Sequence, residues 1–511
     1  MKRYLYLWHR WLGIGLCLFM ALWFVSGMVM LFVGYPKLTP AEHLAHLPEL
    51  PRERCCVSLG QALTASGRSD APLAARLSSV ASAPRYLFDY VGGKRIAVDA
   101  RSGERIVRVD EQAALASARQ FTQAGELHHR GLIQEDVWTR SRGLDGDRPL
   151  HRIEDAQGRL LYVSGQTGAV VRDATFTERA WNWLGAWLHW LYPLRDSPWW
   201  AQIVIYLSLA ATAMALLGQV IGVLRWRFSR PYRSGSRSPY AGGFARWHHI
   251  GGLLFGVLLI AWIFSGLMSM RPWGLFAAAP SLQGAYRQAA LERDSDPRPV
   301  AETLARLRDS GLAPRELHWQ QVAGKTYRVA YDGQGASRIL AVEPGAGVMR
   351  QLPASLLEQA VRDLPGGPSA HISWLHRHDF YYFQRAEQSM YGYQRKRLPV
   401  LRVALDDEAV TWLHIDPYSG ALTEQLGRAQ RVERWLFNLL HSWDWLPLLE
   451  RPRLREALII AFSLGGLVIS LSGVVLGWRR LRARKLRARP FVRARDRQRK
   501  PLERDVAAGG Q

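Results

Sequence analysis

The sequence predicts a membrane α-helical bundle of four transmembrane helices, organised as two tandem two-helix units, with two α+β domains on one side of the membrane. Three observations predict it. Four stretches of membrane-spanning length carry no charge, Arg and Lys gather beside one end of them, and the motifs of the first half return in the second.

The charge-free stretches are Trp11–Pro36, Ser197–Leu224, Ile250–Met270 and Ala457–Trp478. A helix needs about 20 such residues to cross the hydrocarbon core. The first is too long for the apolar region of a signal peptide, and no small-residue cleavage site closes it, so it reads as an uncleaved anchor. A net charge of +24 over 511 residues first suggests nucleic acid. Its distribution points to a membrane instead. Lys2 and Arg3 open the chain, six arginines with no intervening acid run from Arg225 to Arg246, and "RRLRARKLRARPFVRARDRQRK" follows Trp478. With four alternating helices all three clusters fall on one side, which by the positive-inside rule is the cytoplasm, together with both termini. The tail reads as a basic arm on anionic lipid. The predicted division is a cytoplasmic start at 1–10, spans at 11–36, 197–224, 250–270 and 457–478, and exported segments at 37–196 and 271–456. A basic cytoplasmic loop covers 225–249 and a basic cytoplasmic tail 479–511. The three cysteines make no disulfide framework. Cys17 lies in an apolar run; adjacent Cys55 and Cys56 fit free thiols, a vicinal bridge or an intermolecular pair equally.

The two-unit organisation rests on matches about 240 to 255 residues apart. Trp8, His9, Gly13, Trp23, Ser26 and Gly27 answer to Trp247, His248, Gly252, Trp262, Ser265 and Gly266. "WLGAWLHWLYPL" (183–194) answers to "WLFNLLHSWDWLPL" (435–448), and Gly218 and Gly222 to Gly473 and Gly477. The Gly-xxx-Gly pairs read as close helix packing rather than chemistry. Within the exported segments "VDARSG", "VSGQTG", "VEPGAG" and "IDPYSG" each set turn formers between β-branched and apolar runs. The terminal Gly supplies a positive φ. Helical patterns such as "PVAETLARLRDSGL" lie between them, so each segment reads as an antiparallel sheet with a helix on one face.

Four of the fifteen histidines occupy matched places near the membrane: His9 and His248 at the cytoplasmic mouths of spans one and three, His189 and His441 just outside spans two and four. An ionisable residue in or beside a span usually faces the bundle interior and carries function. Two facing imidazoles in an apolar, aromatic-walled bundle are what bis-histidine haem requires. Two such pairs predict two b-type haems. Small residues beside them, Gly13, Gly15, Gly251 and Gly252, leave room for a flat ring. His249 has no counterpart, since Arg10 stands in its place; a lipid phosphate contact or replacement of His248 as ligand are its candidate roles. A second set, His128 and His129 in "ELHHRG" and His371, His376 and His378 in "AHISWLHRHDFYYF", has spacings compatible with a metal ion or an incoming iron complex, and also with surface histidines. The sequence has no nucleotide fingerprint, P-loop, His-Glu-x-x-His or CxxCH motif. Electrons would then come from a quinol or a cytoplasmic donor.

"WHRWLGIGLCLFMALWFVSGMVM", the "LH" before span two, the basic cytoplasmic ends and the recurring "D-x-x-[TS]-G" turns resemble the PepSY-associated transmembrane helix family over nearly the whole chain except the tail. The resemblance implies exported PepSY-type domains and haem on membrane histidines, which carries over to His9, His189, His248 and His441. Some members of that family are inner-membrane, haem-containing reductases that release iron from ferric siderophores, and others are described only as iron-regulated membrane proteins; a reductase of the first kind is expected here. The chain departs from the plain pattern at "LHWLYPLRDSP" and "LHSWDWLPLLERPR", where the histidine precedes the uncharged run by about ten residues or more. The alternatives are a non-enzymatic membrane protein whose domains bind a peptide, protease or metal partner, and a metal permease subunit. No Asp or Glu lies in the four apolar runs, and no broken helix is evident, which weighs against the permease.

Overall fold

The computed structural model describes residues 2–488 apart from 53–54, 123–124, 278, 344, 391 and 393. Residues 489–511, most of the predicted basic tail, lie outside the described residues. Four long helices, Lys2–Met30, Trp200–Arg225, Gly243–Ser269 and Pro452–Ala488, contain 18-residue windows of mean hydropathy 2.2, 2.0, 2.3 and 2.3. They are the first to fourth spans. Their ends differ from the charge-free runs. The first span starts at Lys2 and stops at Met30, short of Gly34 and Pro36, and the third starts at Gly243. Intrahelical hydrogen bonding continues into polar sequence, so lack of charge marks only the apolar part of a helix. His9 and His248 therefore lie inside helices, a turn or more from their starts.

The chain divides into two compact units, each described by itself. Among the described residues one comprises 2–21, 213–257 and 465–488. In it glycines bring helices together. A methyl group on Gly222 would sit 3.1 Å from Leu253, one on Gly477 3.2 Å from Ile14, and one on Gly465 2.7 Å from the Phe255 ring. The loop after the second span folds back on itself: Tyr232 donates to the Arg225 carbonyl and its ring lies 4.0 Å from the Arg227 guanidinium.

The other unit comprises residues 22–212 and 258–464. It holds sixteen strands in three antiparallel sheets among the described residues. In the first half β1 (Ala74–Val80), β2 (Ala83–Asp89), β3 (Arg95–Asp99) and β4 (Arg105–Ile106) form one meander. β5 (Leu127–Ile133), β6 (Leu150–Asp155), β7 (Leu160–Ser164) and β8 (Val170–Ala174) form another. The second half follows the same order with β9 (Glu316–Val322), β10 (Lys325–Tyr331), β11 (Ser337–Ala341) and β12 (Val348–Met349). Its other meander is β13 (His371–Leu375), β14 (Val400–Ala404), β15 (Trp412–Asp416) and β16 (Ala421–Leu426).

In place of the one sheet expected in each exported segment, each half carries two four-stranded meanders, and the first meanders of the two halves join at a seam. β1 pairs antiparallel with β9, Leu77 opposite Leu317, giving an eight-stranded sheet β12-β11-β10-β9-β1-β2-β3-β4. Helices Leu59–Ala65 and Val300–Asp309 pack one on each half of it, so Leu59, Leu63, Leu77, Leu304, Leu307 and Leu317 share one core. Leu77 and Leu317 are fully buried, and burying one such side chain contributes about 1.5–3 kcal/mol. Helix Glu111–Thr122 covers β5–β8 with Ala114, Ala118 and Phe121, and Ala354–Arg362 covers β13–β16 with Leu357, Ala360 and Val361.

The four turn motifs each join the last two strands of a meander. Asp99 Oδ1 accepts from the Arg101 and Ser102 amides, and Asp416 Oδ1 from Tyr418. Those side chains mimic a backbone turn. Gly103, Gly168 and Gly420 take the positive φ expected of them; in "VEPGAG" it is Gly345, not the terminal Gly347, that does so. Cys55 and Cys56 are bridged to each other.

Candidate cofactor-binding site

The structure brings the four matched histidines together as two pairs. His9 and His248 have ring centroids 6.2 Å apart, His189 and His441 6.1 Å. Each pair lies within one compact unit.

In the first pair, His9 Nδ1 lies 3.0 Å from the Met214 carbonyl on the second span. His248 Nδ1 lies 3.0 Å from the Ile469 carbonyl and 3.1 Å from Ser472 Oγ on the fourth. A carbonyl only accepts, so Nδ1 carries the proton in both rings and Nε2 presents a lone pair. Four residues beyond each carbonyl stands a glycine on which the ring rests. A methyl group on Gly218 would lie 2.6 Å from His9 Cε1; one on Gly473 would lie 2.5 Å from Cys17 Sγ and 3.3 Å from His248 Cε1. These glycines pack helices, as the sequence suggests, and what they admit is the ligand side chain itself. Of the glycines expected to leave room, Gly15 and Gly252 face open space, while Gly13 meets Cys17 and Met214 and Gly251 meets Ile469.

The second pair is restrained from the opposite helices. Trp23 Nε1 on the first span donates to the His189 carbonyl at 3.1 Å, and Trp262 on the third donates to the His441 carbonyl at 3.0 Å. Ser26 and Ser265 hydroxyls lie 3.0 and 3.1 Å from the Nδ1 atoms of His189 and His441. Each hydroxyl gives its own proton to the carbonyl of Trp23 or Trp262, so it accepts from Nδ1–H, and Nε2 again is left as the lone-pair nitrogen. A methyl group on Gly27 would lie 3.6 Å from His189 Cε1, and one on Gly266 3.7 Å from His441 Cε1. The matched Trp, Ser and Gly positions thus hold the histidines. Sequence comparison of the two halves marks these positions but gives no role, because Ser26 and His189 are 163 residues apart.

His189 ends the short helix Ala186–His189, set off by a break at Gly185; His441 follows a π-helical turn, Arg434–Leu439. Two residues on, Leu191 and Trp443 both take the left-handed conformation, with φ 52° and 54°. That residue breaks the helix between the histidine and the following span in each half.

Other expected positions fall elsewhere. His249 is engaged at both nitrogens, by Ser238 Oγ at 2.8 Å and the Gly222 carbonyl at 3.0 Å, and packs beside Trp226 and Tyr240. It ties the loop to the second span and has no nitrogen left for iron. His129 pairs with His151 (3.0 Å) and Glu111, and His128 with Glu126. His378 lies 3.1 Å from the Lys396 carbonyl, while His371 and His376 are exposed. No group of three or more His, Cys, Asp or Glu is placed to hold a metal ion among the described residues.

The two pairs fit a haem-type iron. The donors are neutral imidazoles with their far nitrogens tied, the usual outer arrangement of a metal-binding histidine. Ring-centroid separations of 6.2 and 6.1 Å would let the two imidazoles of each pair share one metal ion. Phe437 packs on the His441 ring, and Phe24, Trp262, Trp443 and Phe462 form a run of ring contacts in the same unit.

A family model described as the PepSY-associated TM region matches residues 6–342. The chain belongs to that family. The PepSY-associated match takes in His9, His189 and His248 and stops before His441. With four apolar helices it establishes a multi-pass membrane protein. Comparison with curated proteins gave no match.

Proposed function

We propose that this PepSY-associated protein is a b-type haem protein of the bacterial inner membrane that reduces a ferric siderophore or another ferric complex in the periplasm, in iron uptake. Both termini are then cytoplasmic and the sheet-bearing segments periplasmic, in line with the basic residues beside the spans. The observation that carries the reading is the pairing of all four matched histidines, each with Nδ1 tied and Nε2 left over.

His9 with His248 and His189 with His441 would hold one haem each. Bound haem supplies a one-electron Fe(III)/Fe(II) couple. The chain's own part is to fix the ligands and keep water out. The Met214 and Ile469 carbonyls and the Ser26 and Ser265 hydroxyls set the tautomer and orientation of the rings. The aromatic walls lower the local polarity. A quinol or a cytoplasmic donor gives the electron; the ferric complex takes it, one per iron. Hard siderophore oxygens suit Fe(III) better than Fe(II), so reduction loosens the complex and frees the metal.

The test is an optical spectrum of the purified protein, oxidised and then reduced with dithionite, with a pyridine haemochrome count. Low-spin b bands near two haems per chain are expected. His9→Ala with His248→Ala removes one haem, and His189→Ala with His441→Ala the other. A colourless protein, expressed with haem available, overturns the reading and leaves a non-enzymatic binding protein.

A further inference from the structure

Three arginines surround one carboxylate next to His441. Asp444, three residues after the histidine, is fully buried. Its partner Arg385 is nearly as buried, at 8 % side-chain exposure. Arg434 and Arg455 also act on Asp444 electrostatically. Neither forms a close ion pair with a carboxylate among the described residues. Arg434 donates to the Phe380 carbonyl and lies over that ring at 4.8 Å, and its Nε is buried without a hydrogen-bond partner. Arg455 donates to the carbonyl of Ser442, the residue next to His441, at 2.9 Å.

Glu456 acts on Arg455, and three other neighbouring acids are taken. Glu424 pairs with Lys396 at 2.5 Å and with His414 at 3.0 Å. Asp379 pairs with Arg402 and Glu433 with Arg271. Three guanidiniums thus face two carboxylates, Asp444 and Glu456, an excess of one positive charge in a largely buried place. Uncompensated buried charge is costly, and Arg presents two parallel donors suited to carboxylate. Burial pushes Arg434 down from its ordinary value, and its buried Nε has no acceptor.

We propose that Arg434 and Arg455, grouped with Arg385 around Asp444, form an anion site beside His441 that takes a carboxylate of a bound ligand. Two sources have that chemistry: the carboxylate side chains of a haem on His189 and His441, which rests on the proposed function, and the carboxylates of an anionic ferric chelate, which does not need haem to be present.

The experiment uses the full chain in detergent and the single variants Arg434→Gln and Arg455→Gln. Gallium(III) citrate, a redox-silent stand-in for ferric citrate, is titrated by calorimetry, and the optical midpoint potential of any haem is measured alongside. Binding of gallium citrate that weakens about tenfold or more in both variants assigns the site to the iron complex, since a hydrogen bond to a charged group contributes about 1.5–3 kcal/mol. Gallium binding that is absent or unchanged, with a lowered midpoint potential of one haem and an altered pH dependence of that potential, assigns it to the haem carboxylates. Arg434→Lys and Arg455→Lys keep the charge and lose the paired donors; they give a smaller change in the same direction and serve where a Gln variant does not fold. Folded variants that move neither quantity overturn the proposal. A haem-free protein that still binds gallium citrate through these arginines separates failure of the haem reading from failure of this one.

Discussion

A proton on Nδ1 is the smallest feature on which the site depends. His9 and His248 have it fixed by carbonyls, His189 and His441 by serine hydroxyls that are themselves anchored. Ser26→Ala and Ser265→Ala should therefore weaken haem retention by about 10- to 100-fold, read as haem lost on dialysis against apomyoglobin, with the other haem unaffected. Gly218→Ala sets a methyl group 2.6 Å from His9 Cε1. Such overpacking costs about 1–3 kcal/mol, and the expected outcome is loss of one haem in the pyridine haemochrome count with the helical circular dichroism retained. The four histidines were legible in the sequence because they recur in matched surroundings near apolar runs. Ser26, Gly218 and the carbonyls were not legible as partners. They act across more than 160 residues of chain, and a backbone acceptor leaves no letter in a sequence. His249 was legible as a histidine but not as a loop tie, since Ser238 and Gly222 give no spacing signal.

Among the elements, β9 carries the most telling charge. Glu316, nearly buried at the β1–β9 seam, receives His318 at 2.7 Å and His43 at 3.2 Å, with Arg76 at 3.9 Å. Burial acts to raise its carboxyl, but His318 and His43 together hold it well below the ordinary carboxylate range. A carboxylate lowered in this way adds stability above its unfolded value, about pH 4.3, and that part is lost as pH falls from there through the folded value. Glu316→Gln should flatten the acid limb of the thermal-unfolding profile below about pH 4.3 relative to the parent chain. An unchanged acid limb would mean that the seam does not feel this charge. The turn motifs and the helix-on-sheet pattern were readable from periodicity. The seam was not, because apolar alternation in β1 and β9 says that a face is buried and not which strand lies alongside.

At the scale of the whole molecule, four apolar helices of spanning length were read from charge and length, with ends displaced by one to ten residues. What the sequence divided into two exported segments shares a core. Leu317→Ala should cost about 2–5 kcal/mol and raise hydrogen exchange in β2 as well as β10. Faster exchange confined to the second half would show that the halves unfold apart.

The seam has one more consequence. β1 and β9 hold corresponding places in their halves, and they meet antiparallel. Such a contact uses the same edge of both partners, so it is isologous, as across a two-fold axis. A head-to-tail junction would leave a fresh edge for a third copy. This one uses up the joining edge of each half, and so the arrangement is closed at two.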